Sequence, residues 1–309
     1  MRPERLGPGV VWWQSLLRCP ACRDGALVGV GESKGAVCES CGVTFSRTES
    51  RVLDLRRGRD AMLVGETEGP GRPSLAGIRV GRPERSFEGA SSWRAPAELL
   101  SALTSAVPRG GALLDAGCGA GDFRKPVSES LGLQYVGLDI DADGADLLAD
   151  LHNIPFANGS FDAVVSFAVV SCCRRPAVVL AEFARVMKPG GVLVATFGFL
   201  EPYVGDSHRL THAGLVDLLN STGFRTERIW ACRDALEALS SYIGPYPAVV
   251  KRLLRALARA AGWDFLSPRR WLRETPEQRA ERTLWTAGSL GIVARLAGSF
   301  PEIARAENP

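Results

Sequence analysis

At 309 residues the chain suits about two domains, and its 46% hydrophobic and 23% charged residues give a globular rather than a disordered or collagen-like composition. Its 34 glycines and 19 prolines stop short of low complexity, and a formal net charge of +3 argues against an all-over basic nucleic-acid binder. No apolar run approaches the ~20 residues that cross a bilayer. Gln14 and the cysteine pair that follows break any signal-peptide core, so a cytoplasmic protein is expected.

The first chemistry-bearing pattern is Cys19-Pro-Ala-Cys22 and Cys38-Glu-Ser-Cys41-Gly42, two C-x2-C knuckles separated by fifteen residues. Two sulfurs three positions apart on a tight turn can both reach one ion at about 2.3 Å, and two such turns complete a tetrahedron. Zinc held by Cys19, Cys22, Cys38 and Cys41 is the expected state, with a metal-free or redox-active set as the competing one. Around the knuckles, Ala26 to Val30, Ala36-Val37 and Val43 to Phe45 read as short strands. About sixty residues hold too little core to fold securely alone, so a structural metal makes physical sense. The remaining Cys118, Cys172, Cys173 and Cys232 lack knuckle spacing and are expected to stay free thiols. The stretch LLRCPACRDGAL with AVCESCGVTF, followed by Val52-Leu53-Asp54-Leu55, resembles a Trm112-like zinc ribbon. Such ribbons accompany methyltransferases and also occur in unrelated enzymes.

The expected organisation is a zinc ribbon over 1–57, an irregular Gly- and Pro-rich linker over 58–92, and an α/β domain over 93–309. In that domain strand and helix patterns alternate, as in a largely parallel sheet. Ala95 to Val107 reads as a helix, Ala112 to Asp115 as a buried strand, and Ala116-Gly117-Cys118-Gly119-Ala120-Gly121 as a glycine-rich turn. A dinucleotide fingerprint would need glycine at 122, where this chain has Asp, and no G-K-[ST] follows for a phosphate loop. Carboxylates at Asp115 and Asp122 would repel a pyrophosphate but suit a ligand bearing an ammonium and a sulfonium.

Tyr135 to Leu138 reads as the next strand, and Asp139 at its end lies eighteen residues past Gly121, where an acid can accept both ribose hydroxyls. Asp150-Leu151 is a third acidic site. Phe161 to Val165 reads as a strand, Ala177 to Met187 as a helix stopped by Lys188-Pro189-Gly190-Gly191, and Gly191 to Phe197 as a strand.

The combination of Asp115 to Gly121, Phe161-Asp162-Ala163-Val164-Val165-Ser166 and Glu182 to Gly191 resembles the class I S-adenosylmethionine-dependent methyltransferases of the methyltransferase type 11 family. The resemblance implies a Rossmann-like seven-stranded α/β fold, with Leu290 to Ala294 as its last, antiparallel strand. It implies that Asp115, Ala116, Gly117, Cys118 and Gly119 hold the methionine end of S-adenosylmethionine and Asp139 with Ile140 the ribose side. Asp150 and Leu151 would hold the adenine edge, and Phe167 would close the pocket beneath the methyl. One departure follows the fourth strand of the fold. Where many relatives carry acids and a Glu-His pair, this chain has Ala168 to Arg175, with Cys172 at the His position.

Methyl transfer asks mainly for positioning, and for a base only if the acceptor loses a proton early. His208, in the run Glu201 to Thr211 after the fifth strand, and Tyr203 in the same run are the catalytic candidates. The competing reading makes this run a loop whose Thr211 caps the next helix, with His212 structural. His152 reads as a surface or cofactor-edge group. After a strand at Arg225 to Ala231 comes an insertion at about 234–286 containing an amphipathic helix over 249–262. From Ala248 to Arg273 it carries seven basic residues against Asp264. A lid, a membrane-surface platform and an RNA-phosphate contact compete for it, and Trp263, Trp271 and Trp285 could line a pocket or fill its core. The leading function is methyl transfer to a small-molecule acceptor. The alternatives are a ribosomal or transfer RNA base methyltransferase whose ribbon grips RNA, and a non-catalytic cofactor-binding partner subunit.

Overall fold

The computed structural model describes residues 11–30, 35–56, 77, 79–81, 97–200, 208–233, 249–250, 253, 275, 281, 283–285 and 287–298. The amino-terminal module opens with a 3-10 turn at Trp12–Leu16. Strands β1 (Leu27–Val28), β2 (Ala36–Cys38) and β3 (Thr44–Phe45) then pair antiparallel in that order. There follow β4 (Leu53–Asp54), β5 (Arg79–Gly81), α1 (Ala97–Ala106), β6 (Ala112–Ala116), β7 (Gln134–Asp139) and β8 (Leu147–Leu148). The rest of the described chain holds β9 (Phe161–Phe167), α2 (Pro176–Val186), β10 (Met187–Gly198), α3 (His212–Ser221), β11 (Phe224–Arg233) and β12 (Ser289–Leu296).

Among the described residues the main sheet has nine strands in the order β4-β8-β7-β6-β9-β10-β12-β11-β5. Only β12 runs antiparallel to its neighbours. The inner seven strands, from β8 to β11, have the order and the single reversed strand of the Rossmann-like class I methyltransferase fold. Parallel strands covered on both faces should be apolar throughout rather than alternating. The central strands obey this: every residue of β6 is buried, and Leu113, Leu114, Val136, Val164 and Leu193 are fully enclosed.

The two outer strands lie in stretches that sequence reading leaves without sheet pairing. β4 pairs parallel with β8 at Leu53–Leu147 and Asp54–Leu148, and β5, within the stretch read as an irregular linker, pairs parallel with β11. β8 is equally short, and two residues carry no periodicity that a sequence reading can detect. The expected break at Lys188 to Gly191 also takes a different form. β10 starts at Met187, directly after α2, and the Pro-Gly-Gly run is absorbed as a register shift between Met187 and Val192.

The amino-terminal module packs onto the sheet with a shared core. Trp13, Leu17, Phe45, Leu53 and Leu55 belong to the same buried cluster as Phe156, Phe161 and Phe183, and Trp12 meets Phe161 edge to face at 6.2 Å. Backbone bonds reinforce this: Arg18 N donates to Pro155 O at 3.0 Å, and Ala157 N to Leu16 O at 2.8 Å.

The segment 154–158 that receives these bonds is held from its other side by α2. Arg185 donates to both carboxylate oxygens of Glu182 at 2.9 and 2.8 Å, to Ile154 O and Phe156 O at 2.7 Å, and to Asn158 Oδ1 at 2.9 Å. Glu182 in turn accepts from Ile154 N at 2.8 Å. Glu182 is buried, so truncating it strands a guanidinium and a backbone N–H. Glu182→Ala is therefore expected to cost about 3 kcal/mol or more of stability, read by denaturant unfolding.

Three regions singled out in the sequence lie largely outside the described residues: most of 58–92, the run 201–207 with Tyr203, and most of the insertion at about 234–286, including Lys251, Arg252, Arg255, Arg259, Trp263 and Trp271. Val249, Val250 and Leu253 are helical, with Val249 and Leu253 exposed. No described helix is long and apolar enough to cross a membrane.

Candidate functional site

The glycine turn lies at the carboxyl ends of β6 and β7, the edge where open α/β sheets bind ligands. Gly117 N and Cys118 N both donate to Leu138 O, at 2.7 and 3.1 Å, which lashes the turn to β7. Gly117 has φ 85°, and a Cβ there would come within 2.3 Å of the Val169 side chain, so only glycine fits. Gly119 faces open space, with no atom within 4 Å of the position a Cβ would take, while its N–H donates to Asp139 Oδ2 at 2.8 Å. The turn thus presents bare backbone on one side and fixes the half-buried carboxylate of Asp139 on the other. The second oxygen of Asp139 accepts from Asp141 N at 3.1 Å. Ile140 beside it is 53% exposed although apolar, an arrangement suited to a ligand's flat face.

Asp115, beneath the turn, is buried and accepts from the Tyr135 hydroxyl at 2.7 Å. Its carboxyl is raised to about 7: burial is the main cause, the Tyr135 bond opposes it, and the charges of Asp139 and Asp122 add to it. Arg124 supplies counter-charge, 2.9 Å from Asp146 and stacked over the Tyr135 ring at 4.7 Å. Burial among these acids raises the Cys118 thiol, which keeps it protonated and inert.

The next loop is tied to the same place, because Ala149 N donates to Asp139 O at 2.9 Å. Asp150 accepts from His152 N at 2.9 Å, and its Oδ1 lies 2.6 Å from His152 Nδ1; these bonds hold its carboxyl below the usual range. His152 Nε2 accepts from Arg175 N at 3.2 Å, which assigns the ring proton to Nδ1. His152 therefore orients Asp150 rather than facing a ligand itself. Leu151 is buried under this turn.

On the far side, Ser166 Oγ donates to Ala116 O at 2.9 Å, joining β9 to the turn. Phe167 at the end of β9 stacks on Phe123, with ring centroids 4.6 Å apart and planes at 22°. Ala168 adopts φ 58°, uncommon for a non-glycine residue, and is held there by Thr196, whose hydroxyl and carbonyl both accept from Ala168 N. The turn 169–173 follows, and His208 N donates to Ser171 O at 3.0 Å. His208 thus sits against the turn 169–173, and its Nδ1 is buried with no hydrogen-bond partner among the described residues. His212 is buried edge-on to Trp285 at 4.6 Å, and burial lowers its pKa. Thr211 caps α3 by accepting from Gly214 N at 3.1 Å.

In the amino-terminal module the four knuckle sulfurs converge, all within 4.8 Å of one another. Cys19 and Cys41 sulfurs are 3.7 Å apart and Cys22 and Cys38 sulfurs 3.6 Å. Four sulfurs at about 2.3 Å from a tetrahedral ion stand about 3.8 Å apart, so the set fits one zinc-sized centre. Backbone N–H groups of Ala21, Gly25 and Cys41 point at the Cys19, Cys22 and Cys38 sulfurs at 3.3–3.4 Å, as anionic thiolates require. A Cβ on Gly25 would lie 2.3 Å from the Cys38 sulfur.

Residues 114–195 match the family model described as "Methyltransferase domain", in agreement with the class I methyltransferase order of the sheet. An uncharacterized chloroplastic methyltransferase of Arabidopsis thaliana is 32% identical over 135 residues, which cover 37% of this chain and 35% of that protein. An uncharacterized methyltransferase of Mycobacterium sp. (strain JLS) is 33% identical over 128 residues, 38% of this chain and 50% of its own. The chain thus spans about a third to a half of the length of these curated relatives. Among solved structures, a phosphoethanolamine N-methyltransferase 2 of Haemonchus contortus in complex with S-adenosyl-L-methionine superposes with TM-score 0.42 at 15% identity, over 69% of this chain and 54% of that one.

The state of Asp115 gives a pH test. Its raised pKa means the folded chain binds a proton that the unfolded chain releases near pH 4, so this group's contribution to stability declines between about pH 4 and 7 and levels off above. Tyr135→Phe removes the donor that favours the ionised carboxylate. Its Asp115 midpoint, followed by carboxyl NMR, should move above 7, and its cost, about 1.5–3 kcal/mol for a hydrogen bond to a charged group, should be larger at pH 8 than at pH 6.

Proposed function

We propose that the chain is an S-adenosylmethionine-dependent methyltransferase acting on a small-molecule acceptor of natural-product, glycan or lipid-like type. The observation that carries this reading is the Gly119–Asp139 contact: an open backbone turn whose N–H fixes an acid at the distance along the chain that a ribose diol requires. In this reading Asp115, Ala116, Gly117, Cys118 and Gly119 receive the methionine end, Asp139 and Ile140 the ribose side, Asp150 and Leu151 the adenine edge, and Phe167 closes the floor. When bound, S-adenosylmethionine supplies an electrophilic methyl on sulfur, and its positive charge would favour the ionised form of Asp115. The chain's own work is to hold the nucleoside, exclude water and, at His208, take the proton that an acceptor hydroxyl or amine loses. Tyr203, which lies outside the described residues, is proposed from the sequence alone as a second catalytic candidate.

The same reading places one zinc ion on Cys19, Cys22, Cys38 and Cys41 in a ribbon of Trm112-like type, supported by the sulfur spacings. Cysteines kept reduced as metal-binding thiolates suit the reducing cytoplasm. The working division is a module to residue 57, a connector over 58–92 and a catalytic domain over 93–309.

Calorimetric titration with S-adenosylhomocysteine tests the cofactor, with micromolar binding expected. Asp139→Ala should weaken it at least tenfold, since ribose hydroxyls lose their acceptor. His208→Ala should leave that affinity unchanged and depress turnover by at least tenfold once an acceptor is found. Retention of bulk RNA at moderate salt would move the acceptor class to RNA. Metal analysis should return about one zinc per chain, and a metal-free folded chain would remove the ribbon assignment.

A further inference from the structure

The amino-terminal module reaches the methyltransferase domain at the two loops that border the proposed nucleoside site. Arg56 is fixed by Asp54, with Nε and Nη2 at 2.8 and 2.5 Å from its two oxygens, and Asp54 is fixed in turn by the pairing of β4 with β8. From there Arg56 Nη1 donates to Ile140 O at 3.0 Å and lies 3.7 Å from Asp141. Ser50 Oγ donates to Asp143 on the same loop at 2.9 Å. At the other end Asn153 Nδ2 donates at 2.8 Å to the carbonyl of Pro20, the residue between Cys19 and Ala21 in the first knuckle. Thus one anchor hangs on the four-thiolate cluster and the other on the strand that follows it.

We infer that the module is a positioning element for the adenosine half of the cofactor pocket, acting through Arg56 on the loop 140–146 and through the Pro20–Asn153 bond on the segment 150–157. The inference rests on the cofactor reading above. A loop ordered before the ligand arrives loses less conformational entropy on binding, so both anchors raise affinity without touching the ligand. Arg56 and Asn153 are positioning residues in this scheme.

The test is calorimetry of the full, zinc-loaded chain with S-adenosylhomocysteine, together with amide hydrogen exchange. Arg56→Ala and Asn153→Ala should each weaken binding about 5- to 30-fold. Exchange should rise over 140–157 and stay unchanged in β10. Arg56→Lys, which keeps one donor for Ile140 O, should recover part of the loss. Val37→Ser, at an exposed position of the module that neither loop touches, should bind like the parent chain. Wild-type affinity in both alanine variants would overturn the inference, and so would an equal loss in Val37→Ser, since the effect would then be general loosening of the module. Failure of the unaltered chain to bind would instead remove the cofactor reading, and this inference with it.

Discussion

The carboxylate of Glu182 and the guanidinium of Arg185 supply partners for a stretch of backbone that no helix or sheet ladder covers. Buried peptide groups must be bonded, and residues 154–156 lie inside the molecule outside any helix or named strand. Arg185 satisfies the carbonyls of Ile154 and Phe156, and Glu182 satisfies the N–H of Ile154. With that stretch fixed, its outer edge becomes a docking strip for Leu16, Leu17 and Arg18. Just upstream of it, the Asp150 turn is tied to the end of β7, where Ala149 N donates to Asp139 O. The pair therefore links two regions far apart in sequence, the cysteine knuckles and the loops proposed to hold the nucleoside, through one helix turn.

How much of this a linear reading recovers depends on whether a residue's role is local. The central strands β6, β7, β9 and β10 are legible because enclosed parallel strands are continuous apolar runs. The glycine turn and the cysteine knuckles are legible because their chemistry fixes a spacing. β4, β5 and β8 are not, since two or three residues become a strand only through the partner they meet. Asp139 could be placed by its distance from Gly121, but the donor that holds it, Gly119 N, comes from the neighbouring strand's turn. The stack of Phe123 on Phe167 has no linear signature at all. Glu182 and Arg185 stand in the motif that signals the family, yet their spacing says nothing of the loop they clasp.

The site also shows two kinds of electrostatic preparation. Under the turn, Asp115 sits where burial opposes its charge and a single hydroxyl favours it, so its state responds to what arrives above. At the next loop, Asp150 is held ionised by its own neighbour His152, whose other nitrogen is occupied by a backbone donor. The first acid is responsive and the second is fixed. A ligand that is cationic at one end and neutral at the other is matched by that difference.

Both edges of the main sheet are built from residues 53–81, one by β4 and the other by β5. With neighbouring strands about 4.8 Å apart, these two short pieces end up nearly 40 Å from each other. During synthesis they leave the ribosome well before the strands they pair with. β4 waits for residue 147 and β5 for residue 224 and beyond. Until then the early chain can close its own three-stranded ribbon but not its place in the sheet. Such long-range closure makes for slow folding, and through that interval β4 and β5 stay unpaired. A shortened protein starting near residue 93 would lack both, and would leave the β8 and β11 edges open to pairing with another chain.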